Sequence, residues 1–316
     1  MKPVVLALVG PTGSGKTRTA IRLCQALNAE IVSMDSMQVY RGMDIGTAKP
    51  TREELAAAPH HMIDVVEPDQ MFTVSMYREM ACEAIDDILA RGRMPLLVGG
   101  TGLYLQAISY EMSLGDNCAD HALREELHRI AVENDGPKRL HERLQRVDPA
   151  SAEKLHPNDV RRVIRALEIY ETSGRAKSAQ ADEQRREGPY HVLVYGLSLP
   201  REMMYARINA RVDEMVRNGL LDEVKGLLDR GIEPRPEGGA MQAIGYKEIV
   251  SALRGEMTME QAVDLIKQGS RRYAKRQWTW FRHDPRTKWF DWTAYDSEDT
   301  LIYDLLRQIR TDIKMT

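Results

Sequence analysis

The sequence predicts an α/β protein, a doubly wound parallel sheet with an inserted helical subdomain, and three observations carry that expectation. The apolar run VVLALV leads directly into GPTGSGKT, which satisfies G-x-x-x-x-G-K-[ST] at every specified position. Apolar strand-like runs then alternate with helical patterns through the N-terminal third of the chain. From about Asp120 to Gly174 the strand signal vanishes, and it returns in YHVLVYGL.

PVVLALV, ended by Gly10, has the continuous apolarity of a strand buried on both faces. Between Thr17 and Leu27, the residues Ala20, Ile21, Cys24 and Leu27 share one helical face. Strand, glycine loop and helix together predict a P-loop NTPase-like core. AEIVSMD reads as a second strand ending on Asp35. MPLLVGG reads as a third, ending on Gly99 and Gly100, after a helix whose apolar positions are Met76, Met80, Ile85 and Leu89. In such sheets ligands collect beyond the carboxyl ends of the strands, which singles out Gly10 to Thr17, Asp35 to Gln38 and Gly99 to Gly102.

The inserted segment carries three helical patterns: Leu123, Leu127 and Ile130; Leu140, Leu144 and Val147; Val160, Val163, Ile164 and Leu167. The polar stretch SGRAKSAQADEQRREGP separates it from the returning strand. The expected domains are residues 1–118 with 190–316, a catalytic core with C-terminal helices, and residues 119–189, an inserted helical subdomain. Further helices reach about Arg282, and Glu298 to Ile313 forms a last amphipathic helix on Leu301, Leu305, Ile309 and Ile313.

With 316 residues, 43% hydrophobic and 29% charged, the chain has ample material for a packed core, which excludes a mainly disordered protein. Cys24, Cys82 and Cys118 lie far apart with no C-x-x-C pair, so neither a disulfide framework nor a zinc site is indicated. A reducing, cytoplasmic setting is expected, with no room for a cleavable leader before the glycine loop and no membrane span. The net charge of −3 hides a local asymmetry. From Lys267 to Lys288, Lys267, Arg271, Arg272, Lys275, Arg276, Arg282, Arg286 and Lys288 face a single acid, Asp284.

In the loop Gly10, Pro11, Thr12, Gly13, Ser14, Gly15, Lys16 and Thr17, glycines let backbone N–H groups turn toward an anion. Lys16 adds a point charge and Thr17 a hydroxyl suited to Mg²⁺. Any diphosphate would fit, so the loop alone leaves kinase, ATPase and transferase open. A GTPase would need the guanine-reading N-K-x-D, and a motor ATPase a strand ending in an acidic pair, and the sequence has neither. Asp35, with Ser36 and Gln38 behind it, places a carboxylate near the phosphates, suited to accept a proton or hold Mg²⁺ through water. Arg271, Lys275, Trp278 and Arg282 follow i, i+4, i+7, i+11 spacing as a cationic stripe with an aromatic in it, a pattern suited to nucleic acid. His60 and His61 have no metal-ligand partners nearby in sequence and read as structural.

GPTGSGKT, SMDSMQVYRGMDIGTAKP, LLVGGTGLYLQAI, HPNDVRRVIRALEIYETSG and KRQWTWFR, in that order, resemble the bacterial tRNA dimethylallyltransferases over roughly residues 3 to 285. The resemblance implies transfer of a dimethylallyl group from dimethylallyl diphosphate to the exocyclic amine of the adenine 3′ of the anticodon. The loop would then hold the leaving diphosphate rather than ATP. It further implies Asp35 as general base, Thr101 beside the reacting amine, and Arg211 reaching the diphosphate. The implied tRNA contacts are Asp35, Ser36, Met37, Gln38, Thr101, Arg124, Asp159, Val160, Arg161, Arg162, Val163, Arg271, Lys275, Arg276, Trp278 and Arg282. The implied cofactor is Mg²⁺ at Thr17 and the implied partner is the anticodon stem-loop of tRNA, with no membrane and no obligate protein partner. An adenylate isopentenyltransferase acting on free nucleotide shares the donor site, and a P-loop nucleotide kinase shares the loop; the insert and the basic stripe favour tRNA.

Overall fold

The computed structural model describes residues 2–111, 121–180, 186–235 and 239–315. It divides into two compact units, Met1–Ser109 with Pro189–Thr316, and Tyr110–Gly188. The first begins β1 (Val4–Val9), α1 (Lys16–Leu27), β2 (Ala29–Met34), α2 (Arg52–Ala57), β3 (His60–His61), α3 (Val74–Ala90), β4 (Met94–Gly99) and α4 (Gly102–Ser109). The second unit holds α5 (His121–Val132), α6 (Gly136–Val147), α7 (Pro149–Lys154), α8 (Val160–Ser173) and α9 (Lys177–Gln180). The first unit resumes with β5 (His191–Ser198), α10 (Arg201–Arg217), α11 (Leu220–Asp229), α12 (Tyr246–Leu253), α13 (Met259–Arg282), β6 (Lys288–Asp291) and α14 (Glu298–Met315).

The six strands form one parallel sheet in the order β3-β2-β4-β1-β5-β6. The period of two along β1 shows why it needs apolar residues throughout. Val5, Ala7 and Val9 enter one core layer, with Tyr77, Ala81, Ile85 and Ile88 of α3 and Phe281 of α13. Leu6 and Leu8 enter the opposite layer, with Ala20, Leu23 and Cys24 of α1 and Leu301, Leu305 and Ile309 of α14. A third core gathers Val212 of α10, Leu220 and Val224 of α11, Ile249 of α12 and Ile266 of α13 beneath Val39, Tyr40 and Met43.

The α3 face agrees with the expected one at Ile85, which is buried, and at Met80 and Leu89, which pack against the core; Met76 is exposed, and Tyr77, Ala81 and Ile88 complete the buried positions. The helix starts at a Thr73 cap, which sets its phase, and small or aromatic residues fill the places that a search for aliphatic spacing assigns to methionine. The edge strands β3 and β6 were not expected either, being two and four residues long with polar residues among them. The Lys177–Gln180 turn of helix interrupts the expected polar linker.

Within the second unit, Leu127, Leu140, Leu144, Val163, Ile164 and Leu167 form the core, with Leu123, Ile130, Val147 and Val160 packed against it, as the helical spacing predicts. Cys118, Asp120 and residues 181–185 of the linker lie outside the described residues. Cys24 is buried and Cys82 half-buried, both as free thiols. No helix among the described residues is long and apolar enough to cross a membrane.

Candidate active site

The loop from Gly10 to Gly15 joins β1 to α1 at the carboxyl end of the sheet. Gly10 has φ +145°, and a Cβ there would stand 2.6 Å from the Leu197 carbonyl oxygen, so both backbone and packing require glycine. The Ser14 N–H donates to the Pro11 carbonyl at 3.2 Å, and the Trp292 indole N–H donates to the Ser14 carbonyl at 2.8 Å, fixing the loop from both sides. Lys16 Nζ donates to the Gly10 and Pro11 carbonyls at 2.9 Å each, anchoring the ammonium over the turn.

Thr12, Gly13, Gly15, Lys16 and Thr17 line a cavity of about 670 Å³, together with Asp35, Ser36, Met37, Gln38 and Arg211. Arg211, on α10, donates to Thr12 Oγ1 at 3.3 Å. Burial first, and then the neighbouring Arg211 guanidinium, bring the Lys16 pKa down to about 7 against the opposing pull of Asp35. Burial also lowers the Arg211 pKa. Two crowded cations facing one carboxylate form a site whose charge an anion would balance.

Asp35 follows directly on β2. Its Oδ1 accepts the N–H groups of Met37 at 2.9 Å and Gln38 at 3.4 Å, and its other oxygen has no hydrogen bond from the described residues. Gln38 is a strut, accepting from the Ser33 hydroxyl at 3.0 Å and donating to the Ala48 carbonyl at 3.2 Å. Thr101 sits just past β4. Its N–H donates to the Met34 carbonyl at 3.1 Å and its Oγ1 accepts the Ser36 N–H at 3.2 Å, tying the ends of β4 and β2 together.

Of the expected RNA-facing residues in the second unit, Asp159, Arg161 and Arg162 lie at the start of α8, Arg162 pairing with Asp159 at 3.3 Å. Val163 is a correction: it is fully buried in that unit's core, because its position on α8 belongs to the apolar face, and Val160 packs beside it. Arg124 is held by Glu168, with Nη2 to Oε2 at 3.1 Å.

The expected stripe on α13 is not one outward face. Lys275, Arg276 and Arg282 are exposed, but Arg271 donates to Asn209 Oδ1 at 2.7 Å and Trp278 packs on Trp289 with ring centroids 4.6 Å apart. The exposed aromatic is Trp280, 41% accessible and lying against Gly102. Tyr273, Arg276 and Gln277 line the cavity. The spacing Tyr273, Gln277, Trp280 is itself i, i+4, i+7, so the helical period was a usable signal for this face. The charged positions Lys275 and Arg282 lie beside this face on the helix.

A glycine loop at the end of the first strand of a parallel sheet, opening a helix and with Lys16 and Arg211 beside it, defines a P-loop-type fold, a class whose geometry suits phosphate groups. Comparison with known proteins narrows that class. The IPP transferase family model matches residues 38–284, and the isopentenyl transferase model matches residues 3–67. The chain is 48% identical to the tRNA dimethylallyltransferase of Halalkalibacterium halodurans, over 96% of this chain and 95% of that one. The crystal structure of the full-length tRNA isopentenylpyrophosphate transferase from Bacillus halodurans superposes with TM-score 0.74 at 45% identity, covering 100% of this chain and 98% of that one. A eukaryotic dimethylallyltransferase acting on tRNA gives TM-score 0.77 at 32% identity, covering 92% of this chain and 74% of that one. The chain belongs to the IPP transferase family, that of the tRNA dimethylallyltransferases.

Proposed function

We propose that this chain transfers the dimethylallyl group of dimethylallyl diphosphate to the exocyclic amine of the adenine 3′ of the anticodon in tRNA, releasing diphosphate. Beyond family membership, one observation carries the reading: Lys16, Arg211 and the partly open carboxylate of Asp35 share one cavity. In the reaction the amine nitrogen bonds to the allylic carbon, the carbon–oxygen bond to diphosphate breaks, and the amine proton leaves. Asp35 takes that proton through the oxygen its own loop leaves open. Lys16, Arg211 and the loop N–H groups meet the negative charge that grows on the leaving diphosphate. The target base must leave the anticodon-loop stack, and the exposed Trp280 and the cations of α13 supply a stacking surface and phosphate contacts for its neighbours.

The residues fit Mg²⁺ held mainly by substrate. Thr17 and Asp35 offer hard oxygen donors at the cavity wall, and the described residues contain no group of three His, Cys, Asp or Glu able to hold a metal alone. That donor set suits an ion that keeps waters and takes phosphate oxygens as its other ligands. Bound there, Mg²⁺ supplies positive charge to the departing diphosphate. With tRNA as its substrate, the setting proposed for the chain is the cytoplasm.

The test is incubation with labelled dimethylallyl diphosphate and either bulk tRNA or AMP. Label appearing in tRNA alone is expected. Label in AMP instead would assign the chain to nucleotide prenylation, and no transfer to either would overturn the reading.

A further inference from the structure

Gln277 is a buried amide on α13, and both of its ends are committed. Its Oε1 accepts the Thr12 N–H at 2.8 Å, and its Nε2 donates to the Gly100 carbonyl at 3.1 Å. Since one partner can only donate and the other only accept, the amide has a single orientation. The approach is close enough that a Cβ on residue 100 would stand 1.8 Å from Nε2, which requires glycine there. One amide hydrogen remains. Tyr273, one turn earlier on α13, lines the cavity with it, and Thr101 follows Gly100 directly in the chain. Thr101 in turn accepts from Ser36, the neighbour of Asp35.

One side chain thus joins the turn of the phosphate loop to the end of β4, next to Thr101. We propose that Gln277 is a positioning residue for group transfer: it sets the diphosphate loop against the Asp35–Thr101 edge. The inference rests on the prenyl-transfer reading above. Leaving group and amine must meet in line, and a displacement of about 1 Å costs roughly a hundredfold in rate.

The variants are Gln277→Glu, which keeps the shape and the acceptor for Thr12 but loses both N–H donors, and Gln277→Met, which keeps the length and loses donor and acceptor alike. Kinetic constants for both substrates, donor affinity and melting temperature are measured for the parent and each variant. Each should lower kcat by about 30- to 300-fold and change donor affinity by less than about threefold. A variant kcat within twofold of an active parent overturns the proposal. So does loss of donor affinity and melting temperature in step with kcat, which marks a fold clamp only. Should Gln277→Glu fail to fold, the split between kcat and KM in Gln277→Met decides by itself. An inactive parent would overturn the prenyl-transfer reading itself, an outcome distinct from these.

Discussion

Strand β2 has a carboxylate at each end, and the two are treated in opposite ways. Glu30, near its start, is 2% exposed and takes bonds from Arg91 Nη2 at 2.8 Å, Arg93 Nη1 at 2.6 Å and His61 Nε2 at 2.7 Å. The Arg91 guanidinium holds its carboxyl down at about 2. Asp35, just past the other end, has one oxygen bound by its own loop and shares a cavity with Lys16 and Arg211. At the start of the strand every charge is matched within the protein. At its end the matching is incomplete, and a ligand of the right charge can complete it. Closed electrostatics marks structure here, and open electrostatics marks the site.

The largest effect should come from the open end. Asp35→Ala removes the proposed proton acceptor and should lower single-turnover transfer by roughly 10² to 10⁴, the usual range for a lost general base. Its effect on melting temperature should be small, since the carboxylate holds only local backbone. A transfer rate near that of the parent would remove Asp35 from the role and break the contrast at its functional side.

Glu30→Gln tests the closed end. Two arginines and a histidine lose the charge they surround, and unfolding free energy should fall by about 2 kcal/mol, less than for a wholly buried pair because the arginines are partly exposed. Turnover at 25 °C should stay within about twofold. The pH dependence has a definite sign. The folded pKa lies below the ordinary glutamate value, about 4.3, so the stabilisation is present above that pH and is lost as pH falls toward 2. Urea titrations of parent and variant should converge across that acid window. Equal stability at neutral pH would show the cluster to be ornamental.

A smaller effect concerns Lys16, whose pKa in the free site is about 7. An anion favours the protonated ammonium, so its folded pKa rises on binding and a proton is taken up above pH 7. Affinity for diphosphate should therefore fall as pH rises from 7 to 8, by up to about fivefold, relative to Lys16→Met measured in the same buffers. The variant cancels the ligand's own titration. Parallel pH curves would mean that Lys16 keeps its proton throughout.

How much of this contrast could be read from the chain depends on the range of the interactions. The central strands were legible because burial on both faces demands unbroken apolar runs such as Val4–Val9, and the insert because its helices repeat leucine and valine at one period. The glycine loop between β1 and α1 was legible because its residues are consecutive. Edge strand β6 was not, since four residues closing against β5 carry no periodicity of their own. Gln277 was missed for a different reason: its partners Thr12 and Gly100 lie 265 and 177 residues away, and a glutamine in a basic helix gives no local sign of such a task. Trp278 and Trp280 show the limit of composition, since both sit in KRQWTWFR and only packing on Trp289 decides which one turns inward.

The smallest effect carries the contrast to the surface of α13, where open and committed cations stand on one helix. Lys275 and Arg282 are exposed and form no ion pair among the described residues, whereas Arg271 is spent on Asn209 and lies over the Tyr205 ring at 6.0 Å. Each cation that meets an RNA phosphate releases condensed counterions, so log affinity falls with log salt by roughly 0.7 to 0.9 per contact. Lys275→Ala with Arg282→Ala should therefore shallow the salt dependence of tRNA binding by about one to two units. Arg271→Ala should leave that slope nearly unchanged, because its side chain already has a partner inside the fold. Donor affinity serves as the control and should not move in the double variant. tRNA binding titrated from low to moderate salt separates the outcomes. An unaltered slope in the double variant would make Lys275 and Arg282 a solvated face, and a slope change in Arg271→Ala as large as theirs would show that a cation bonded within the protein can still be recruited by RNA.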